Sequence, residues 1–467
     1  MDKISEINGV VNDFVWGLPT ILMILGVGLF LTIALKGIQF RNWGFLIKNT
    51  YVKALSKKGR ESQSGEGDIT SFQAAMASVS AVVGSGNIAG VATAIVAGGP
   101  GALFWMIVAA IVGMATKFGE IALGIKYREQ KPDGSFAGGP MYYLAKGLHA
   151  PWLGVVVAIM IVFYSFIVCC VVDTNTMVLA TQEVLGGGSW LIIGAVYAAL
   201  TAVVIFGGIK RIGKVCEFLA PFMAGAYLLC GILVIILNIG QLPGAIHDIV
   251  VYAFDPQAAF GGAAGMTVIG CMRYGFARGI FSNEAGLGSA GITHSSARVS
   301  SPGEQAIWGP LEVFVDTIVV CTISGLTIVL TGVWDSGKEG VALTMSAFEA
   351  GLPGHWGHLV VFAAAILFGY SCLITYYNYA QKAAAYIFGN KSDMVILILW
   401  IALMFVGAYS TLGVVWDIAD TVNGLIIYPN LIGLLVMFRQ IIKIKDDFYG
   451  EQLPIYKEEK RLKKQGK

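Results

Sequence analysis

The sequence predicts an all-α membrane protein of about eleven transmembrane helices, arranged as two five-helix halves of opposite sense with one additional helix in front. Three observations predict it. Of 467 residues, 56% are hydrophobic and 13% charged, about half the charged share of a soluble domain. Apolar stretches of about twenty residues, long enough to cross a hydrocarbon layer of ~30 Å as helices, recur along nearly the whole chain. Two of these stretches, five helices apart, are interrupted midway by glycines and polar residues.

Taken in order, the stretches fall at 15–36, 71–97, 101–126, 152–182, 189–207, 215–239, 259–281, 305–333, 356–387, 393–411 and 420–441. The first is expected to remain as an anchor, because Asp2, Glu6 and Asp13 precede it and no small-residue cleavage site follows. The expected units are the extra helix (1–40), a basic loop (41–69), a first repeat (70–240), a second, inverted repeat (258–441) and a basic tail (442–467).

Charge sets the expected orientation. The net charge is only +2, yet all of the 31 Lys and Arg except Lys3, Lys117, Arg273, Arg278 and Lys338 lie on or beside alternate loops. These are the loops around Arg41 to Arg60, around Arg128 to Lys146 and around Lys210 to Lys214, together with the tail Lys457 to Lys467. Such loops face the cytoplasm, so the amino terminus is expected outside and the carboxyl terminus inside a cell membrane. The basic tail suits anionic lipid headgroups better than nucleic acid. A monomer is left as an open expectation.

The seven cysteines all fall in apolar stretches without metal-ligand spacing and read as small packing residues. His355 and His358 have an i,i+3 spacing but no acidic or thiol partner near in sequence, so a surface role is expected. No cofactor is expected.

Sixty glycines is well above the usual ~7%, and two clusters stand out. The second stretch contains Gly84-Ser85-Gly86-Asn87-Ile88-Ala89-Gly90; the seventh contains Gly275, Gly279 and Ser282-Asn283-Glu284-Ala285-Gly286-Leu287-Gly288-Ser289. Glycines alone serve close helix packing. The polar residues among them point to unwinding, which frees backbone groups where there is no water: a half-helix N-terminus can then hold a carboxylate and freed carbonyls a cation. Paired broken helices of this kind indicate a secondary transporter.

At these residues the sequence resembles the alanine or glycine:cation symporter family, also called the sodium:alanine symporters, over almost the full chain. The motifs that carry the resemblance are Gly84 to Gly90, Gly98-Gly99-Pro100-Gly101, Ala137-Gly138-Gly139-Pro140-Met141-Tyr142, Arg278 to Ser289, and Asp316-Thr317-Ile318-Val319-Val320-Cys321-Thr322. The resemblance implies a LeuT-type fold with an extra N-terminal helix, and sodium or sometimes proton coupling. It implies that Ser85, Gly86 and Asn87 bind the substrate carboxylate, that carbonyls around Gly275 to Gly279 take the ammonium, and that Phe166, Cys372 and Tyr376 wall the pocket. A sodium ion is implied between the second and ninth segments, on carbonyls near Val82 and Val83 with a hydroxyl such as that of Ser371. Two positions depart from the family pattern: Asp173 stands where glutamine is usual and Tyr376 where tryptophan is usual. Asp173 is therefore expected to alter specificity or coupling.

The remaining charges within the stretches need partners. Lys117 and Glu120, at i,i+3, are expected to pair with each other. Asp316 is divided between structural hydrogen bonding and a place near a cation. Arg273, Arg278 and Glu284 are expected either to form an inner gate or, for Arg278, to snorkel to the cytoplasmic surface. All five histidines map to loops or interfaces, which leaves no Ser/His or zinc constellation at membrane depth, so an enzyme is not expected. A channel is disfavoured by the paired breaks. The expected function is symport of a small neutral amino acid, such as alanine or glycine, with sodium; a proton-coupled carrier, or a glutamine- or serine-type substrate, is the alternative.

Overall fold

The computed structural model describes residues 2–56, 65–255 and 267–464. Among them, seven helices are long and apolar enough to cross a membrane: Asn8–Ala34, Gly101–Lys126, Pro151–Leu185, Gly208–Leu237, Pro302–Leu330, Gly357–Phe388 and Trp416–Val436. We number these segments 1, 3, 4, 6, 8, 9 and 11. Segment 2 is a pair, Ser71–Val82 and Gly86–Gly98, bent by 42° at its break. Segments 5 (Trp190–Ile205) and 10 (Asp393–Tyr409) are apolar but shorter; the sixteen residues of segment 5 span about 24 Å at 1.5 Å per residue. Segment 7 is Val268–Asn283 followed, after a non-helical stretch, by Ala290–His294; residues 259–266 of the expected stretch lie outside the described residues.

Local chemistry explains where the segments begin. Thr70 and Gln73 form a capping box: each side chain accepts the other's backbone N–H, both at 3.1 Å. Segments 4 and 8 open with Pro151 and Pro302, whose missing N–H costs nothing in a first turn. Segments 2, 4 and 8 each contain a π-helical stretch (Gly86–Gly90, Tyr164–Val171, Phe314–Cys321). Such wider turns release backbone groups and recur at functional sites. Exposed Leu191, Ile192, Phe218, Phe222, Leu229, Val395 and Ile398 on segments 5, 6 and 10 present an apolar belt that suits acyl chains.

The basic tail is helical over its described residues. Segment 11 starts earlier than expected and ends at Val436, and Phe438–Lys464 forms a separate helix. Its Phe448 packs on Phe45, with ring centroids 6.0 Å apart. Lys53 pairs with Glu304 at 2.7 Å beside the start of segment 8. Lys57, Lys58 and Arg60 lie outside the described residues.

On the same face, the start of segment 2 is joined to the end of segment 7. Ile69 and Thr70 pair in parallel with Ala297 and Arg298. Arg128 donates to the carbonyls of Ser295 (3.0 Å) and Ala297 (2.7 Å), and Lys382 donates to the Phe136 carbonyl (3.1 Å) and to Ser296 Oγ. The two half-spanning helices are thus closed together at the face that carries the basic loops.

Segments 3 and 7 cross closely through glycines. A β-carbon at Gly124 would lie 2.7 Å from the Gly291 Cα. Gly124→Leu is therefore expected to lower stability by about 1–3 kcal/mol through overpacking against backbone, read as a fall in the melting temperature of the detergent-solubilised protein. An unchanged melting temperature would contradict the crossing.

Candidate functional site

Both predicted interruptions are real, and they meet. The first helix of segment 2 ends at Val82 and the next begins at Gly86. Asn87 holds the gap open: its Oδ1 accepts the Gly84 N–H at 2.7 Å, so that amide no longer serves the helix. In segment 7, Glu284 takes a left-handed conformation (φ 57°), which ends the helix at Asn283. The Ala285 N–H turns to Asn283 Oδ1 (2.9 Å) and the Gly286 N–H to Glu120 Oε1 (2.8 Å). The carbonyls of Phe281 and Ser282, which a continuing helix would pair with those amides, are released.

Asp316 on segment 8 joins the two breaks. Its Oδ1 accepts from Asn87 Nδ2 (2.7 Å) and its two oxygens from Ser282 Oγ (3.0 Å each), while Thr317 Oγ1 donates to Oδ2 (2.6 Å). Asn283 Nδ2 in turn donates to Thr317 Oγ1 at 3.1 Å. Asp316, Asn87, Ser282 and Thr317 are all buried. Three donors on one buried carboxylate offset its desolvation and set the two half-helices in one register.

Beside this tie lies a tight cleft of about 10 Å³, lined by Ala81, Val82, Gly84, Ser85, Gly86, Cys169, Asp173, Phe281, Cys372 and Tyr376, room for about one water. Asp173 Oδ1 accepts the Ser85 N–H at 3.4 Å. Cys372 packs on Gly84, where any β-carbon would meet its sulfur, and donates to the Ala81 carbonyl at 3.1 Å. Ser371 donates to the Ser80 carbonyl at 3.1 Å. Below the cleft, Glu284 accepts from Tyr164 (2.7 Å), Tyr376 and Ser289 (2.6 Å). Above it, Phe281 rests on Trp416 with centroids 4.7 Å apart. Arg278 covers the same Trp416 ring at 4.5 Å and pairs with Asp420.

Of the site residues expected from sequence, Val82, Ser85, Gly86, Asp173, Cys372 and Tyr376 line this cleft, and Asn87 stands next to it on the Asp316 tie. Others lie elsewhere. The Phe166 ring packs on Trp400 of segment 10, with centroids 6.0 Å apart; the π-helical turn of segment 4 brings Cys169 to the cleft instead. Gly275 and Gly279 sit in intact helix against segment 3, where a β-carbon at Gly275 would come within 2.6 Å of the Ala102 carbonyl; the opening comes after Asn283. Ser371 meets the carbonyl of Ser80 rather than those of Val82 or Val83.

Several charge expectations are corrected. Lys117 does not pair with Glu120. It donates to the Asn283 carbonyl (2.7 Å) and approaches Glu312 (3.7 Å), while Glu120 accepts from the Gly286 and Gly288 amides and Asn430 Nδ2. Bare amides at the break outcompete a helical neighbour. Arg278 and Arg273, which bonds Asp13 and Asn12, lie toward the end of the bundle away from the basic loops, so they form no gate on the basic side. His294 is not in a loop but fully buried, with Nε2 2.8 Å from Glu312. His355, exposed, and His358, half-buried, do have an acidic partner: both approach Glu349 (3.1 and 2.9 Å), and the hydrogen bond with His358 holds that carboxyl below its usual range. Phe281, Trp416 and Glu284 as a tyrosine-bound carboxylate went unread, since only the folded chain sets them around the cleft.

Two half-spanning helices with facing broken ends, tied at mid-span inside a helical bundle, define a secondary transporter of the LeuT type. Solved structures agree on the fold: MhsT in complex with L-phenylalanine (TM-score 0.56, 16% identity, 78% of this chain and 89% of that one) and a Na+-coupled sialic acid symporter (TM-score 0.52, 13% identity, 90% and 92%). The chain belongs to the sodium:alanine symporter family, whose profile matches residues 1–463. It is 41% identical to the sodium/alanine symporter AgcS of Methanococcus maripaludis over 94% of this chain and 95% of that one. It is 37% identical to the amino-acid carrier protein AlsT of Bacillus subtilis (95% and 92%), and 35% identical to the probable sodium/glutamine symporter GlnT of the same organism (96% and 91%).

If Asp316 ties the breaks, Asp316→Ala removes the carboxylate that Asn87 and Ser282 share and leaves them only the residue-316 carbonyl (3.2 Å) and the weaker Cys321 sulfur (3.2 Å), a loss of about 1–3 kcal/mol for a charged acceptor. Amino-acid uptake is expected to fall by at least about tenfold, since 1.4 kcal/mol is a factor of ten, while Phe166→Leu leaves the apparent substrate affinity within about twofold, its ring lying outside the cleft. Side-by-side uptake assays on the two variants check this; the reverse pattern would refute the placement.

Proposed function

We propose that this chain imports a small neutral amino acid, such as alanine or glycine, with sodium by alternating access, in the cell membrane with its amino terminus outside and its carboxyl terminus in the cytoplasm. The observation that carries the reading is the junction of both broken helices on Asp316 beside a cleft with a freed amide on one wall and freed carbonyls on the other. The substrate carboxylate docks on the amides of Ser85 and Gly86, at the start of the second half of segment 2, where the helix dipole is positive. The ammonium meets the carbonyls of Phe281 and Ser282. Sodium sits between segments 2 and 9, on carbonyls near Val82 and Val83 with the Ser371 hydroxyl, the neighbouring Ser80 carbonyl already being in contact with that hydroxyl. The loops rich in Lys and Arg support the orientation. The family and the relatives' names support the substrate class.

Transport opens the two closures in turn. The pairing of Ile69 and Thr70 with Ala297 and Arg298 is the closure on the basic, cytoplasmic face. The Arg278–Asp420 pair with Phe281 on Trp416 closes the other. The cleft described above is too tight for an amino acid, so its walls part on one side before the substrate enters. Each ligand favours the state that the other stabilises, which is the thermodynamic content of coupling.

Asp173 tunes this site. Its carboxylate rests on the amide meant for the substrate carboxylate, so an incoming amino acid displaces it or meets it with an additional donor. This favours serine- and glutamine-type side chains relative to the glutamine found in the family pattern.

Purified protein in liposomes is expected to accumulate labelled alanine or glycine under an inward sodium gradient, and failure of sodium and proton gradients alike to drive any amino acid would sink the reading. Asp173→Gln is expected to keep sodium-driven uptake but lower the serine-to-alanine preference severalfold, a hydrogen-bonded donor being worth about 0.5–1.5 kcal/mol; an unchanged ranking removes the role given to Asp173.

A further inference from the structure

Two half-helices in this bundle end at mid-span with their carbonyl ends exposed: Ser71–Val82 of segment 2 and Val268–Asn283 of segment 7. Each such end is the negative pole of a helix dipole and a natural seat for a cation. The two ends are served differently. At the end of Ser71–Val82 the carbonyls of Ser80 and Ala81 meet only neutral donors, Ser371 Oγ at 3.1 Å and Cys372 Sγ at 3.1 Å. These groups can turn and offer lone pairs to an arriving ion. At the end of Val268–Asn283 the Asn283 carbonyl already receives an ammonium, that of Lys117, at 2.7 Å.

Lys117 is fully buried and held in place. Its Nζ lies 3.7 Å from Glu312 Oε2, and Glu312 is itself bonded by Ser78 Oγ (2.9 Å) and His294 Nε2 (2.8 Å). Asn283 is anchored on its other side through Thr317. The ammonium therefore sits at the carbonyl end of the segment 7 half-helix as a fixed part of the protein, in the field of the nearby carboxylates Glu120, Glu312 and Asp316. A second mobile cation seated there would meet a like charge within contact distance, unfavourable by several kcal/mol in a site of low dielectric.

We propose that Lys117 is a tethered cation that takes the place of a second coupling ion, so that this transporter moves one sodium per amino acid, through the segment 2 end alone. This rests on the sodium-symport reading above and specifies its stoichiometry. Lys117 is a positioning residue: it touches the broken helix, not the substrate.

The test measures charge and amino acid together, in proteoliposomes at several imposed membrane potentials. The wild-type chain is expected to move about one charge per alanine with hyperbolic sodium activation. A ratio of two with sigmoidal activation overturns the inference while leaving sodium symport intact, whereas absence of any sodium-dependent uptake takes down the reading itself along with it. Lys117→Gln keeps a donor for the Asn283 carbonyl but removes the charge; its sodium activation is expected to become sigmoidal, with a Hill coefficient rising from about one toward two. A Lys117→Gln chain that transports with unchanged hyperbolic activation also overturns the assignment, because a merely structural lysine would not change the order of sodium dependence. Should that variant fail to fold, the wild-type charge ratio decides alone.

Discussion

One buried carboxylate organises the centre of this protein. A helix broken inside a membrane leaves backbone amides and carbonyls with no water to satisfy them, and two such breaks side by side collapse unless something fixes both. Asp316 does so by accepting from Asn87 on one break and Ser282 on the other. It sits with Thr317 on a π-helical turn of segment 8, and Thr317 hands the register on to Asn283. Around this knot several of the released groups have protein partners: Asn87 Oδ1 for Gly84, Glu120 for Gly286 and Gly288, Lys117 for Asn283.

The same logic explains why so many charges are tolerated at depth. Glu120, Glu284, Glu312, Asp316 and Lys117 are all fully buried, which would be prohibitive for isolated ions. Each instead serves a broken backbone or binds hydroxyls and amides that hold the breaks in shape. Phe281, Ser85 and Ala81, whose carbonyl meets only the neutral Cys372 thiol, border the cleft. The closures at the two ends of the bundle differ in kind: a short backbone pairing with arginine and lysine ties at one, an ion pair stacked on an aromatic ring at the other.

Much of this was legible in the sequence, and for a physical reason. Hydrophobic length is set by the bilayer, so segment 3 falls at 101–126 as expected, and segments 4 and 9 within a few residues. Glycine mixed with serine and asparagine signals unwinding, so both breaks were found, although the second opens after Asn283 and not at Gly275 to Gly279. These two glycines answer to packing on segment 3, and sequence alone does not separate a glycine that unwinds from one that makes room. The pairing of charges was less readable. Lys117 and Glu120 are one turn apart, yet their partners come from 165 or more residues away, and no local spacing encodes that. Phe166 likewise turned away because a π-helical stretch changed the phase of segment 4 and brought Cys169 round in its place.

The most direct measurement is a high-resolution map of the chain with sodium and alanine bound, in lipid. The account predicts that segments 2 and 7 are interrupted after Val82 and Asn283, with Asp316 bridging Asn87 and Ser282, and that the amino acid lies between the Ser85 and Gly86 amides and the Phe281 and Ser282 carbonyls. Continuous helices through those positions, or an amino acid bound away from both breaks, would contradict it.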